Sequence, residues 1–139
     1  MTHKLYLALG SNLGNREENI RRALALIDER VGSVYRVSSP METDPVGFSS
    51  PNKFINLVCL VHTMMSPMSC LRETQKIELE LGRTQKTLCT DGQLLHSDRT
   101  IDIDLLTYDD IIMDTPELTL PHPRMKERDF VMRPLEEIS

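Results

Sequence analysis

The order of strand-like and helix-like segments is the feature that most constrains the fold of this chain. Helical periodicity follows a capping-box pattern at Asn15 and Glu18, and a second helix is predicted from Ser66 to about Leu81. Apolar strands are predicted at Lys4–Leu9, Ser33–Thr43, Phe54–Met64 and Thr100–Tyr108. The β-α-β-β-α-β order predicts an α+β fold, a ferredoxin-like α/β sandwich whose helices cover one face of an antiparallel sheet.

Short polar segments separate these elements. Gly10-Ser11-Asn12 is predicted to end the first strand in a strand-to-helix turn, because it lacks the spacing of a phosphate-binding glycine loop. Gly32 and Gly82 are predicted to be the C-terminal capping glycines of the two helices. The remaining predicted elements are a short strand at Ile111–Met113 and short helices after Pro123 and near Pro134.

Length and charge limit the classes of protein to which the chain can belong. Its 139 residues suit one domain, which we expect to span residues 1–139. The net charge of −5 disfavours a general nucleic-acid-binding role, because such proteins need a basic surface. No apolar run reaches the ~20 residues that cross a bilayer, and three cysteines without a CxxC spacing fit reduced thiols. We expect a monomeric cytoplasmic protein that acts on small molecules, with neither a nucleic-acid nor a membrane partner.

The segment from Arg99 to Leu106 carries two aspartates at alternate positions. On a strand, Asp102 and Asp104 share one face with Cα atoms about 6.6 Å apart, because side chains alternate and each residue rises ~3.3 Å. Carboxylates at this spacing can converge on a hard cation or bridge two Mg²⁺ ions. The alternative is a half-buried strand with a solvated polar face. For this spacing alone the solvated face is the more common structure. Two neighbouring acids on a strand repel, however, and Asp is a poor strand former, and a bound metal would remove the repulsion.

Basic residues flank this acidic pair in the sequence: Arg83, Lys86, Arg99, Arg124, Lys126, Arg128 and Arg133. Guanidinium groups bind phosphate oxygens through paired hydrogen bonds. Carboxylates that bind metal, flanked by arginines and lysines, are typical of phosphoryl transfer, although ordinary surface charge explains these cations equally well. The polar stretch Arg83–Arg99 has a length at which loops are usually functional lids or disordered. His122, between two prolines, could contact phosphate or shape a turn.

Several other side chains could contact a nucleotide or a planar heterocycle. Gln75 and Glu78 face the same side of the predicted second helix, where a solvated helix face is the alternative. Phe54 and Phe130 could clamp a ring or pack in the core. Asn56 shares the face of Phe54 on a strand, and its amide offers both a donor and an acceptor to the edge of a heterocycle.

Taken together, these segments resemble the 6-hydroxymethyl-7,8-dihydropterin pyrophosphokinases of folate biosynthesis. The resemblance spans nearly the whole chain, and its most specific blocks are Phe54-Ile55-Asn56, Gln75-Lys76-Ile77-Glu78 with Gly82-Arg83, Asp98-Arg99-Thr100-Ile101-Asp102-Ile103-Asp104, and Leu120-Pro121-His122-Pro123-Arg124-Met125. It implies an enzyme that transfers the β,γ-pyrophosphoryl group of ATP to the pterin hydroxymethyl group and releases AMP. ATP would be the co-substrate, and two Mg²⁺ ions the metal cofactors.

The resemblance also implies roles for individual positions. The metal-binding positions, which are also catalytic, are Asp102 and Asp104. The arginines of the family's mobile loop, which assist turnover, correspond to Arg83 and Arg99. The ATP-binding positions are Gln75, Glu78, Lys86, Thr119, His122 and Arg128. The pterin-binding positions are Phe54, Asn56 and Phe130, completed by backbone groups near Thr43, Asp44 and Val46.

Three features depart from the family pattern. Gln85 stands where the mobile loop usually carries an arginine, Glu117 replaces a common arginine, and the chain has no tryptophan. These departures motivate a second hypothesis, a catalytically weak nucleotide- or pterin-binding module of the same fold. A third hypothesis, a sugar-nucleotide transferase with a DxD motif, normally needs a longer chain.

Overall fold

A computed structural model describes residues 2–44, 52–82 and 100–139. Its helices are α1 (Arg16–Arg30), α2 (Pro67–Glu80) and α3 (Asp129–Ile138), and a 3-10 turn spans Met125–Glu127. Its strands are β1 (His3–Ser11), β2 (Ser33–Val37), β3 (Met41–Thr43), β4 (Phe54–Thr63), β5 (Asp102–Tyr108), β6 (Met113–Asp114) and β7 (Thr119–Leu120). No helix in these ranges is both long enough and apolar enough to cross a bilayer.

Strand β1 lies at the centre of an antiparallel sheet, between β4 and β5. Strands β2 and β3 both pair with β4, and β5 forms the opposite edge among the described strands. Strands β6 and β7 pair with each other in a separate two-stranded sheet. Helix α1 connects β1 to β2, and α2 lies between β4 and β5, so the predicted ferredoxin-like α+β fold is confirmed.

The two faces of the sheet carry different apolar clusters. On the first, which we call the helix-covered face, Leu5, Leu7 and Leu9 of β1 are buried with residues of α1 and α2 such as Ile27 and Ile77. The second, which we call the α3 face, carries a smaller buried cluster made of Val58, Leu60, Leu106, Met125, Val131 and Ile138. Because side chains alternate along a strand, the same strands contribute to both faces.

Most helix ends follow the predicted capping chemistry. The Asn15 side chain accepts a hydrogen bond from the Glu18 N–H (3.2 Å), which satisfies one of the free donors at the start of α1. The Ser66 hydroxyl accepts from the Ser69 N–H (3.3 Å) at the start of α2. Gly82 follows α2 with a φ of +98°, a left-handed conformation that glycine adopts without steric cost. These three boundaries are therefore confirmed.

The end of α1 differs from the prediction. Gly32 follows the helix without a left-handed φ, so it is not a left-handed capping glycine. A Cβ at Gly32 would lie 2.3 Å from the backbone oxygen of His62 in β4. Glycine is required at this position because two backbones approach each other closely.

The strand boundaries also need correction. Strand β1 continues through Gly10 and Ser11, which the sequence pattern places in a turn. The predicted strand at 33–43 is divided into β2 and β3, and Pro40 lies in the interruption, where it has no N–H to continue a ladder. The short strand predicted at 111–113 begins instead at Met113. The strands predicted at 54–64 and 100–108 are confirmed to within two residues.

Candidate active site

Asp102 and Asp104 lie on the α3 face of β5. Asp104 pairs with Ala8 of β1, which packs against the apolar cluster of that face. Both aspartates are partly exposed, whereas Ile103 and Leu105 are buried on the helix-covered face, at 5% and 3% exposure. The predicted position of both aspartates on one face of the strand is therefore confirmed.

The two aspartates line a cavity of about 290 Å³ beside the edge of the sheet. Four residues at predicted ATP-binding positions line the same cavity: Gln75, Glu78, Thr119 and His122. The other residues of its wall are Leu71, Ile103, Leu105, Glu117, Leu118 and Pro123. The structure thus brings α2, β5 and the segment around β7 together at one space.

Glu78 connects α2 to the strand that carries the aspartates. Its carboxylate accepts a hydrogen bond from the backbone N–H of Ile103 (2.8 Å), and the residue is 8% exposed. Strand β5 is an edge strand of the described sheet, so no neighbouring strand there supplies an acceptor for the Ile103 N–H. The Glu78 carboxylate supplies that acceptor instead. Glu78 therefore fixes the backbone between Asp102 and Asp104, a structural role that the sequence pattern does not predict.

His122 is held through both its backbone and its ring. Its backbone N–H donates to the carbonyl oxygen of Leu106 (2.8 Å), and its Nδ1 accepts a hydrogen bond from the Arg124 N–H (3.2 Å). Because Nδ1 is an acceptor, the neutral ring carries its proton on Nε2. Burial lowers the pKa of His122, and the positive charges of Arg128 and Arg124 lower it too, while Asp102 opposes them. The neutral ring thus offers an Nε2–H donor suited to a phosphate oxygen.

A second group of predicted residues lies across the sheet on the same face. Asn56 of β4 and Asp102 of β5 both pair with Gly10 of β1. Directly paired residues share a face, so these three residues form one row across three strands, which we call the Asn56–Gly10–Asp102 row. A Cβ at Gly10 would lie 2.8 Å from Asn56 Oδ1 and 3.4 Å from a ring carbon of Phe54. The missing side chain therefore leaves space in the middle of the row.

The Asn56 side chain also contacts β3. Its Nδ2 donates a hydrogen bond to Thr43 Oγ1 (2.6 Å). Asp44, the next residue along the chain, is exposed, and its Oδ1 lies 4.0 Å from Lys53 Nζ. Of the three predicted backbone positions, Thr43 is therefore beside Asn56, and Asp44 follows it at the surface. The third, Val46, lies outside the described residues.

Arg128 and Phe130 lie at the start of α3. The guanidinium carbon of Arg128 is 5.7 Å from the centroid of the Phe130 ring, a cation–π distance. Phe130 packs against the apolar cluster of the α3 face, and Phe54 is partly buried in β4. The enclosure of a planar ring between Phe54 and Phe130 stays a prediction.

The donor set of the described residues fits a magnesium site that depends on substrate. Within residues 2–44, 52–82 and 100–139, no group of three or more His, Cys, Asp or Glu side chains could hold a metal ion by itself. Asp102 and Asp104 supply two carboxylates, and Mg²⁺ typically uses one or two carboxylates together with phosphate oxygens and water. The predicted residues Arg83, Lys86 and Arg99 lie outside the described residues.

Gly10 is the site residue that the sequence reasoning missed. A glycine inside a strand often marks a close approach of a ligand or another backbone, and Gly10 follows five apolar or aromatic residues. Its assignment to a turn hid this signal. Leu118 offered no comparable signal, because its place in the wall depends on how β7 packs beside β5. Glu117 stood out only as a departure from the family pattern.

Comparisons with known proteins agree with this geometry. A family described as 7,8-dihydro-6-hydroxymethylpterin-pyrophosphokinase matches residues 6–139. The 2-amino-4-hydroxy-6-hydroxymethyldihydropteridine pyrophosphokinase of Porphyromonas gingivalis is 45% identical over 136 residues, which cover 97% of this chain and 90% of that protein. The folic acid synthesis protein fol1 of Schizosaccharomyces pombe is 38% identical over 135 residues, which cover 96% of this chain and 18% of that protein.

A solved structure extends the comparison to the fold. A crystal structure of HPPK-DHPS in complex with substrates superposes on 99% of this chain with a TM-score of 0.75 and 14% sequence identity. This chain spans 40% of that solved chain, and at such low identity the likeness shows the fold alone. The sequence matches carry the assignment further, because they are long and cover nearly every described element. The chain belongs to the 7,8-dihydro-6-hydroxymethylpterin-pyrophosphokinase family.

Proposed function

We propose that the chain transfers the β,γ-pyrophosphoryl group of ATP to the hydroxymethyl group of 6-hydroxymethyl-7,8-dihydropterin. The products are AMP and the pterin pyrophosphate ester used in folate biosynthesis. The position of the aspartate pair carries this proposal. Asp102 and Asp104 line one cavity with His122. Asp102 also lies in the same row as Asn56, because both residues pair with Gly10 of β1. A nucleotide site and an acceptor site therefore meet at the aspartates.

The cavity beside β5 is the proposed nucleotide site. Gln75 and Thr119 bring neutral hydrogen-bonding groups to its wall, which suit a purine or a ribose. His122 offers its Nε2–H to the phosphates. The positive charge of Arg128 lowers the pKa of His122, and we assign its guanidinium to the same phosphates, because guanidinium groups bind phosphate oxygens through paired hydrogen bonds.

Asp102 and Asp104 are the proposed ligands of two Mg²⁺ ions. When bound, the ions neutralise phosphate charge and make the β-phosphorus more electrophilic. The chain itself contributes the positions of the carboxylates. Strand β5 presents both of them to the cavity, and Glu78 holds the backbone between them.

The proposed reaction is an in-line displacement at the β-phosphorus. The pterin hydroxyl oxygen forms a bond to this phosphorus and gives up its proton to water, while the bond to the oxygen that bridges the α- and β-phosphates breaks and AMP leaves. Asp102 orients the attacking hydroxyl, because it lies in the row that also carries Asn56. Asn56 bonds to the pterin edge, and Phe54 and Phe130 flank the ring.

The proposal extends to four residues that lie outside the described part of the chain. Arg83 and Arg99 are expected to assist turnover and Lys86 to contact phosphate, and Val46 is expected to complete the pterin site. The single domain over residues 1–139, the monomeric state and the cytoplasmic location also stay predictions. Size-exclusion chromatography with light scattering tests the monomeric state.

Steady-state release of AMP tests the proposed function. The wild-type chain should form AMP and the pterin pyrophosphate ester in equal amounts, and only when ATP, Mg²⁺ and the hydroxymethyl pterin are all present. AMP without the ester indicates hydrolysis instead of transfer. Calorimetric binding of nucleotide and pterin without any AMP release identifies the alternative, a catalytically weak binding module.

A further inference from the structure

The Thr43 side chain holds the amide of Asn56. Asn56 is buried at 9% exposure, and its Nδ2 donates to Thr43 Oγ1 at 2.6 Å. The two residues lie on adjacent antiparallel strands, in which Thr43 pairs with Phe54 and Met41 pairs with Asn56. The orientation of the amide is therefore set by a partner on β3.

The other end of the amide faces the empty position at Gly10. A Cβ there would lie 2.8 Å from Asn56 Oδ1, so this oxygen lies over the Gly10 backbone. The hydrogen bonds of the described residues include none to Oδ1, and the contact to Thr43 uses the opposite end of the amide. Among the described residues only Thr100 Oγ1 is a buried side-chain polar atom without a hydrogen-bond partner, so Asn56 Oδ1 keeps some accessible surface. This oxygen is thus available to a ligand that brings an N–H donor.

We propose that the Thr43 hydroxyl is a positioning group, which holds the Asn56 amide with its carbonyl oxygen toward Gly10 so that it accepts a hydrogen bond from an N–H of the pterin. This inference rests on the proposed function. It adds a side-chain role at a position for which the sequence predicts only a backbone contact. Thr43 acts through Asn56, and its hydroxyl does not touch the ligand.

This arrangement favours pterin binding because the amide is already ordered before the ligand arrives. An asparagine side chain loses rotamer freedom when it is fixed, and a buried amide N–H without a partner is costly. In the wild type both costs are met before the ligand binds, which is preorganisation. Removal of the hydroxyl shifts these costs to the pterin-binding step, while the carboxylates of β5 keep their positions.

The test compares Thr43→Val with Thr43→Ser. Valine keeps the β-branched shape and suits a strand but lacks the hydroxyl, whereas serine keeps the hydroxyl. Thr43→Val should raise the KM for the pterin about tenfold, with kcat and the KM for ATP within about twofold of wild type. Thr43→Ser should return the pterin KM to near the wild-type value.

Thr107→Val is the matched control. It makes the same chemical change on β5, where Thr107 pairs with Tyr6 at the end of the strand remote from Asp102. All three kinetic constants should stay at their wild-type values in this variant. A rise in its pterin KM equal to that of Thr43→Val contradicts the inference, because the effect would not be specific to the Asn56 contact.

Wild-type turnover is measured first, because its absence contradicts the proposed function rather than this inference. With an active wild type, an unchanged pterin KM in Thr43→Val overturns the inference. Equal losses in both KM values, in kcat and in Tm indicate a merely structural role and also overturn it, as does a failure of serine to rescue. If Thr43→Val does not fold, Thr43→Ala removes the same hydroxyl and is judged by the same criteria.

Discussion

The two faces of the sheet are built from the same strands but leave different groups uncovered. On the helix-covered face, Leu9 of β1 pairs with Ile103 of β5, and both are buried in the main core. One residue further along β1, on the α3 face, Gly10 pairs with Asp102. The alternation of side chains along these two strands thus produces a closed apolar core on one side of the sheet. On the other side, the same alternation places Gly10, which has no side chain, beside the carboxylate of Asp102.

This difference separates the residues that stabilise the fold from those proposed to do chemistry. Burial of apolar surface is the main stabilising contribution to folding, and the helix-covered face holds the larger cluster. The cluster of the α3 face includes Val58 of β4 and Leu106 of β5 but none of the Asn56–Gly10–Asp102 row. Substitutions on the helix-covered face should therefore lower stability, and substitutions in the row should lower activity.

Asp102→Asn should give the largest effect. Asparagine keeps the shape of aspartate but removes the charge that would hold a metal ion. Because a bound metal contributes several kcal/mol to the stabilisation of transition-state charge, kcat for AMP release should fall roughly 10³-fold. Thermal unfolding should show little change in Tm, since Asp102 belongs to neither of the two buried apolar clusters.

Asp114→Asn on β6 is the control for this change, because Asp114 is exposed and does not line the cavity. Its kcat should equal that of the wild type. A near-normal kcat in Asp102→Asn contradicts the metal assignment. If both Tm and kcat fall in Asp102→Asn, the aspartate supports the fold. The separation of stabilising residues on one face from functional residues on the other would then be contradicted.

Leu7→Ala tests the helix-covered face. Leu7 has no exposed surface and pairs with Cys59 and Leu105 in the middle of the sheet. The substitution should lower the free energy of unfolding by about 3 kcal/mol, from lost burial and the cavity that remains. Urea denaturation measures this change. At a temperature where the variant is fully folded, kcat should stay within about twofold of wild type, and a large loss there contradicts the separation of the two faces.

Local rules in the sequence predicted much of this comparison. Period-two alternation placed Asp102 and Asp104 on one face of their strand, and this prediction needed no knowledge of the neighbouring strands. Capping chemistry at Asn15 and Ser66 located the starts of both helices that cover the sheet. These features depend on residues close together in sequence, so the chain alone determines them.

Other features of the site depend on contacts between distant segments. The pairing of Gly10 with both Asn56 and Asp102 is a matter of register between three strands, and a shift of one residue would turn every side chain to the opposite face. The hydrogen bond from the Ile103 N–H to Glu78 likewise requires α2 to pack at one position along β5. Neither relation has a local sequence signature.

Gly10→Ala tests the space in the row. Gly10 does not have a left-handed φ, so alanine is compatible with the backbone. The added Cβ would lie 2.8 Å from Asn56 Oδ1, which forces the amide to move out of the way. The displaced amide would lose its hydrogen bond to the pterin, which is worth about 1 kcal/mol, so the Kd of the pterin should rise roughly fivefold to tenfold. The Kd of a non-hydrolysable ATP analogue, measured by calorimetry, should be unchanged, and equal losses for both ligands contradict this role for the row.

Asp109→Asn should give the smallest effect, because this acid directly follows the end of β5 that is remote from Asp102. Its carboxylate accepts a hydrogen bond from the Lys4 N–H (2.7 Å), which lowers the pKa of Asp109, and His3 at 2.6 Å lowers it further. Asparagine tolerates the φ of +48° at this position, so the variant removes the charge without a new backbone conformation. Both side chains are exposed to solvent screening, and the expected loss is about 0.5 kcal/mol at neutral pH.

The loss of stability in Asp109→Asn should depend on pH. A carboxyl whose pKa is lower in the folded protein than in the unfolded chain stabilises the fold fully above the unfolded pKa of about 3.9. It loses that contribution as the pH falls through the folded pKa. Urea midpoints of wild type and Asp109→Asn should therefore differ by a constant amount at neutral pH and converge below about pH 4. Turnover at neutral pH should be the same in both, since Asp109 lies outside the cavity. A fall in kcat as large as that of Asp102→Asn would mean that a negative charge at either end of β5 affects turnover. The difference between the two faces of the sheet would then not account for the activity.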